Sequence, residues 1–272
     1  MQYIPPEWQA ALEKNNLNTF DAIWELSLPN VDRGNYGRGG FSVVSRYALT
    51  MPNGEQQTIY IKRQEDYLCF NPRQPWKRMP TFAREFKNWQ RFRKLNIPTF
   101  DVVYFATRDV GEHQQAILIT KEIPGVDLTK WLTEMQPSGN YSFAQKCAVT
   151  KTVAEVMQQL HQPGLKHGHL SPIHIFVNVK PDKPWPEKLQ GYFIDLELLR
   201  WYPWNDEHIK FDLSMLCRRS PRCSRTQYMR FFKYYLNIPR LTPKAKRLWR
   251  TVSTRVLKRW AKKQAMQVPD GG

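Results

Sequence analysis

With 272 residues, 41 % of them apolar and 13 % aromatic, the chain can bury one large domain or two lobes, and this composition excludes general disorder. No run approaches the roughly 18 apolar residues of a membrane span. The opening Met1-Gln2-Tyr3-Ile4-Pro5-Pro6-Glu7 lacks the basic-then-apolar order of a secretory signal, so the reading places the protein in the cytoplasm. The net charge of +17 is unevenly placed: residues 213–269 hold sixteen Lys and Arg and no Asp or Glu, while the rest carries 25 basic and 24 acidic residues. A balanced body with a basic C-terminal fifth attracts anions such as phosphate-rich lipid, an anionic leaflet or nucleic acid. Cys69, Cys147, Cys217 and Cys223 are scattered without C-x-x-C spacing, and read as reduced thiols.

Residues 1–30 read as a short helical lead-in, with Thr19 or Asp21 capping Ala22-Ile23-Trp24-Glu25-Leu26. Glycines follow at 34, 37, 39 and 40 around Arg38. Phe41 to Tyr47 and Thr58 to Lys62 are β-rich runs joined by Pro52-Asn53-Gly54, a hairpin pattern. Pro72, Pro75 and Pro80 mark 66–80 as a loop. Phe82 to Leu95 repeats Phe82, Phe86 and Trp89 at helical spacing. Val102 to Phe105 and Ala116 to Thr120 read as buried strands. A helix over Phe143 to Leu160 aligns Val149, Val153, Val156 and Leu160, and Pro163-Gly164 ends it. Short strands at Ile175 to Val177 and Tyr192 to Ile194 flank a loop, Lys180-Pro181-Asp182-Lys183-Pro184-Trp185-Pro186. The last helix runs from about Lys244 to Lys263. The order is a small β-rich lobe with one helix and then a larger helical lobe, an α+β arrangement: 1–30 lead-in, 31–122 first lobe, 123–272 second lobe.

Asp195 directly follows an apolar strand. An acid there is costly unless it binds a cation or caps a turn, and the spacing leaves both open. Upstream, His167-Gly168-His169-Leu170-Ser171-Pro172-Ile173-His174-Ile175-Phe176-Val177 joins a helix to a strand. Protein kinases place H-R-D-L-x-x-x-N in that setting, with Asp as base and Asn on metal. In this loop the chain resembles the bacterial lipopolysaccharide kinases (heptose and Kdo kinases, InaA-like branch), where His commonly stands at the Asn position, here His174.

The resemblance, over about residues 30–220, implies a two-lobed protein-kinase-like fold and an ATP-dependent kinase using Mg2+. Its acceptor would be a sugar hydroxyl of the lipopolysaccharide inner core, at the cytoplasmic face of the inner membrane. It implies that Lys62 contacts the nucleotide phosphates and that Glu85 is its ion-pair partner. Gly37, Gly39 and Gly40 would offer amides to phosphate. Glu122, in Ile119-Thr120-Lys121-Glu122-Ile123-Pro124-Gly125, would lie where backbone reads adenine. His167 would be mainly structural, His174 would lie beside the nucleotide, Asp195 would hold magnesium helped by Glu197, and Asp212 would steady the loop. Only 16 residues separate Asp195 from Asp212, too few for a long peptide-docking loop, which points to a non-protein acceptor.

The chain departs from the pattern at His169, where H-x-D is expected. Either His169 is the general base, since imidazole titrates at about 6.5, or the chain is a catalytically silent pseudokinase that scaffolds or regulates envelope enzymes. The last helix aligns Trp249, Val252, Val256 and Trp260 against Lys246, Arg247, Arg250, Lys258, Arg259, Lys262 and Lys263. That pattern fits a lobe helix burying its stripe, or an interfacial helix on anionic lipid. Nucleic-acid binding is disfavoured; it would need exposed stacking by Tyr228, Phe231, Phe232, Tyr234 and Tyr235, which read as a buried helix face. Trp185, Trp201 and Trp204 near Asp195 are packing residues or a sugar platform.

Overall fold

Pro5 and Pro6 stop the first strand and start the first helix. Gln2–Tyr3 (β1) pairs with Ala106 and Phe105, and Pro6–Lys14 (α1) carries proline in its first turn, where no amide partner is lost. The computed structural model describes residues 1–265 except 32, 38, 72, 73, 182, 204, 205, 221 and 222, with the backbone alone at 260 and 263–265. Arg38, Pro72, Asp182, Trp204 and the side chains of Trp260 and Lys263 therefore lie outside the described residues. The chain divides into two units, Met1–Ile123 and Pro124–Gly272.

In the first unit Thr19 caps Phe20–Trp24 (α2) by accepting the Ala22 N–H at 3.3 Å. Asn35–Gly37 (β2), Gly40–Thr50 (β3) and Gln56–Glu65 (β4) follow. Short strands Leu68–Cys69 (β5) and Met79–Pro80 (β6) pair inside the segment expected to be loop. Thr81–Lys94 (α3), Val102–Val110 (β7) and His113–Lys121 (β8) complete the unit. The main sheet is antiparallel, in the order β1-β7-β8-β4-β3-β2. Two-residue periodicity gives β4 two different faces. Ile59 and Ile61 join Leu12, Ile23, Val103, Ile117 and Ile119 in a core sealed by α1 and α2, so the N-terminal thirty residues supply a strand and half of that core. Lys62 and Gln64 point to the face covered by α3, where Phe86 stacks on Phe105 at 4.1 Å.

The second unit begins with Val126–Asp127 (β9) and Leu128–Lys130 (α4), whose amides are capped by Asp127. Then come Phe143–His161 (α5), Leu165–Lys166 (β10), a 3-10 turn at Pro172–His174, Ile175–Val177 (β11), Gly191–Phe193 (β12) and Arg200–Trp201 (β13). Glu207–Arg219 (α6), Arg225–Tyr235 (α7) and Pro243–Ala265 (α8) follow. Ser142 and Gln145 form a reciprocal capping box on α5, and Val149, Val153, Val156 and Leu160 are buried on the face their spacing predicts. In α8, Val252 and Val256 are buried, and Trp249 packs 5.2 Å from Phe232 and 5.7 Å from Tyr228. Phe231, Phe232 and Tyr235 are buried, and Tyr228 donates to the carbonyls of Cys217 and Ser220, so these rings offer no base-stacking platform. Among the described residues no helix is long and apolar enough to cross a membrane.

Candidate active site

In the first unit the site residues ride on regular elements. The N-terminus of α3 has no cap of its own, because Pro80 precedes it. Gln64 of β4 supplies one: its Oε1 accepts from the Phe82 N–H at 3.0 Å and from the Thr81 hydroxyl at 2.9 Å. Glu85 lies one turn further along α3, and Lys62 lies two residues before Gln64 on the same strand face. The Lys62 ammonium therefore meets the Glu85 carboxylate at 3.0 Å. Glu85 is buried, and the Lys62 ammonium also lies 5.4 Å from the Phe100 ring centroid and 5.9 Å from that of Phe82. Gly37 and Gly40 face each other at the tip of the β2–β3 hairpin. Gly40 has no room for a side chain, since a Cβ there would stand 1.9 Å from the Glu65 carbonyl oxygen; Gly39 has a φ of +90° and open space around it. The Glu122 N–H donates to the Thr58 carbonyl, and its carboxylate accepts from Arg46 and from the Tyr60 hydroxyl. That amide is thus already engaged.

In the second unit the residues ride on a loop held from beneath. Asp212 of α6 is fully buried; its Oδ2 accepts the His167 N–H at 2.6 Å and its Oδ1 the Gly168 N–H at 3.2 Å. His161, the last residue of α5, places Nε2 3.4 Å from the same carboxylate and Nδ1 2.8 Å from the Tyr235 hydroxyl. The consistent proton arrangement has Tyr235 donating to Nδ1 and Nε2–H donating to Asp212. Burial pushes His161 below the usual imidazole range, so it is neutral at pH 7. Burial alone would raise Asp212, but His161 and the His167 amide outweigh it and hold the carboxyl below its ordinary value. Gly168 is required between the two histidines, because its φ is +82° and a Cβ would stand 2.5 Å from the Leu198 carbonyl oxygen. Arg219 adds a clamp, donating to the carbonyls of His169 and Leu170.

The β11–β12 ladder brings the remaining groups together. Ile175 pairs with Phe193, and the Ile194 N–H donates to the His174 carbonyl at 3.0 Å, which sets His174 beside Asp195. Asp195 has φ +58°, ψ +62°, the left-handed conformation that Asp tolerates better than most residues. His174 accepts support on both sides: its Nδ1 lies 2.9 Å from the His169 carbonyl and its Nε2 3.5 Å from Asp195 Oδ2. Burial pushes His174 down to about 4 against the pull of Asp195, so its ring is neutral at pH 7. His167 stacks on it at 5.8 Å with planes 8° apart, and donates from Nε2 to the Ile194 carbonyl at 3.0 Å. Burial lowers His167 as well, and its Nδ1 has no hydrogen-bond partner among the described residues, so Nε2 carries the proton.

Ligand atoms of His169, His174 and Asp195 all lie within 4.8 Å of one another. Glu197, on the 3-10 turn after Asp195, does not join that group. The set contains one carboxylate and two imidazoles. Magnesium requires oxygen ligands in near-octahedral array, so the donors present fit it poorly. Trp185 lies 6.1 Å from Tyr141, while Trp201 is largely exposed and donates its ring N–H to the Pro163 carbonyl. Sequence reasoning passed over Gln64, His161, Tyr235 and Arg219. For Gln64 a signal existed, a polar residue in register with Lys62 on a half-apolar strand; the other three are recognisable only through their tertiary partners.

No protein of curated function matches the chain in sequence. A solved structure, described as WaaP in complex with acyl carrier protein, is similar over 98 % of this chain and 100 % of its own, with a TM-score of 0.64 and 16 % identity. That likeness establishes the fold as α+β and two-lobed, as in the protein kinases. The family model for lipopolysaccharide kinase (Kdo/WaaP) matches residues 21–235, a span that takes in Lys62, Glu85, the 167–174 loop, Asp195 and Asp212. With the fold and that span agreeing, the chain belongs to the lipopolysaccharide kinase (Kdo/WaaP) family.

Proposed function

We propose that this protein is an ATP-dependent kinase that phosphorylates a sugar hydroxyl of the lipopolysaccharide inner core at the cytoplasmic face of the membrane. Family membership supports a sugar-kinase role on the lipopolysaccharide core. The observation that carries the proposal is the braced loop in which Asp212 fixes the backbone of His167 and Gly168 while His169, His174 and Asp195 converge. Phosphoryl transfer asks mainly for positioning and charge neutralisation. Lys62, held by Glu85, supplies a fixed positive charge for the donor's phosphates, and the amides of the Gly37, Gly39 and Gly40 hairpin add dipoles. The stretch around Glu122 reads adenine through backbone groups other than the Glu122 N–H. His167 orders the loop by packing. For His169 two roles suit the geometry, proton acceptor and metal ligand, and Glu197 lies near enough in sequence to assist Asp195 through solvent.

The acceptor is lipid-linked, and the exposed Lys246, Arg247, Arg250, Lys258, Arg259 and Lys262 of α8 attract an anionic surface. Each such charge contributes about 1 kcal/mol near the membrane. Because Val252 and Val256 are already packed inside, this attraction is electrostatic and involves no insertion of the apolar stripe. The second reading, a pseudokinase scaffold at the envelope, is favoured by one observation, the histidine at 169 in place of an aspartate.

Thermal shift with ATP, with and without Mg2+ or another divalent ion, separates the two readings in wild type, Lys62→Ala and Asp195→Ala. A metal-dependent rise in melting temperature that both variants lose, together with phosphate transfer lost in Asp195→Ala, is the expected result. No shift under any condition favours the scaffold, and full turnover in Asp195→Ala overturns the site assignment.

A further inference from the structure

We propose that His169, His174 and Asp195 form a site for a borderline divalent transition metal, of the iron, cobalt, nickel and zinc class, in place of a magnesium site. The use of that cation in catalysis rests on the proposed kinase function; its binding does not.

Two ligands held at roughly 2.1 Å from a tetrahedral metal stand roughly 3.4 Å apart. His174 Nε2 and Asp195 Oδ2 are 3.5 Å apart, already at that spacing, and the ligand atom of half-buried His169 lies within 4.8 Å of both.

His174 is held in a fixed orientation by the backbone. Its Nδ1 faces the His169 carbonyl at 2.9 Å, a contact only an N–H can make favourably. Nε2 is then the ring atom left free of the backbone, and it stands 3.5 Å from Asp195 Oδ2. A cation between the two would be ligated by both. A backbone carbonyl that fixes the tautomer of a ligating imidazole is the usual outer support of a metal-bound histidine. Here the support and the third ligand come from the same residue, His169, whose carbonyl is itself clamped by Arg219.

Imidazole suits zinc, iron, nickel and copper, whereas magnesium binds oxygen and keeps much of its water. Both imidazoles stand where the kinase pattern H-R-D-L-x-x-x-N has oxygen-bearing side chains. On this assignment His169 holds the metal and does not take the proton, which a loose phosphoryl-transfer transition state tolerates.

The test uses the full chain stripped of metal with a chelator and titrated separately with Co2+, Zn2+ and Mg2+ in the absence of nucleotide. Binding is read by calorimetry and, for Co2+, by the visible spectrum. The expected result is one Co2+ per chain, bound about 100-fold or more tighter than Mg2+, with a spectrum of nitrogen and oxygen ligation. Asp195→Asn and His169→Ala should each weaken Co2+ by about tenfold or more while still melting cooperatively, and His169→Asp should narrow the gap to Mg2+. Equal or tighter Mg2+ binding in the wild type overturns the inference. So does Co2+ affinity unchanged in both variants, or a thiolate charge-transfer band, which would place the metal on a cysteine. Phosphate transfer with Mg2+ in a protein that binds neither Co2+ nor Zn2+ overturns the inference and leaves the kinase reading standing. Metal bound at the triad without transfer to any acceptor supports the inference and removes the catalytic reading.

Discussion

The two units hold their chemistry-bearing residues by different physical means. In the first, a strand and a helix with regular periods carry two long side chains to a single meeting point, Lys62 with Glu85 at 3.0 Å. In the second, an irregular loop is shaped by backbone amides that converge on one buried carboxylate, Asp212, and by residues in left-handed conformation at Gly168 and Asp195. A pair between regular elements can be removed as a pair and its hydrophobic surroundings refilled. A carboxylate that satisfies several donors at once has no such substitute, because the donors it leaves behind are buried or partly buried.

The comparison breaks first at Asp212. Asp212→Ala strips the His167 amide, the Gly168 amide and His161 Nε2 of their acceptor. Each buried donor left unsatisfied costs about 1–3 kcal/mol, so the total rivals a large share of the roughly 5–15 kcal/mol that holds a domain folded. A fall in melting temperature of about 10 °C or more is expected. A melt within 2–3 °C of wild type, to give a rough limit from the same scaling, would show that the loop does not depend on this acid.

The first unit should respond less, and reversibly. Glu85→Ala leaves the Lys62 ammonium largely buried without its partner, at a cost of about 3 kcal/mol. A Lys62→Met, Glu85→Leu double variant should regain that stability yet remain without phosphate transfer. Urea unfolding and a transfer assay on the three proteins decide the matter; recovery of transfer in the double variant would show that the pair serves packing alone.

The smallest effect is a dependence on pH. Burial holds the folded-state pKa of His161 below the unfolded value of about 6.5. Between those two values the unfolded chain binds a proton that the folded chain does not. Stability is therefore complete above pH about 6.5 and declines as the pH falls, by up to about 1.4 kcal/mol per unit from this residue. Asp212, also held low, adds its own loss only further into acid, below the ordinary carboxylate range. Unfolding of wild type and His161→Gln at pH 7.5, 6.5 and 5.5, as approximate set points around that pKa, should give a shallower slope in the variant. Identical slopes would remove His161 from the account.

Much of the fold is legible in the chain because local chemistry and tertiary packing agree. The Asn-Gly turn and its flanking strands, the Val149, Val153, Val156 and Leu160 stripe, and α8 from its periodic pattern all appear where their patterns lead. The strand at Gln2–Tyr3 and the β5–β6 pair are two residues long, too short to carry a period, and they exist only because a neighbouring strand edge accepts them. The candidate site divides the same way. Lys62, Glu85, His167, His169, His174, Asp195 and Asp212 are picked out in the sequence by the resemblance of their motifs, in this order, to those of the kinases.

What the sequence by itself determined is the set of chemical groups, their order, and the helices and strands whose apolar periods leave one solution for burial. What only the tertiary structure decided is which atoms face which. The Glu122 amide is taken by Thr58, and His174 sets its Nε2 3.5 Å from Asp195 Oδ2. His161 and Tyr235 stand behind Asp212, and Glu197 falls outside the group that Asp195 joins. These outcomes depend on hydrogen-bond partners supplied by residues tens of positions away, and no local pattern encodes the direction in which a side chain must turn to meet them.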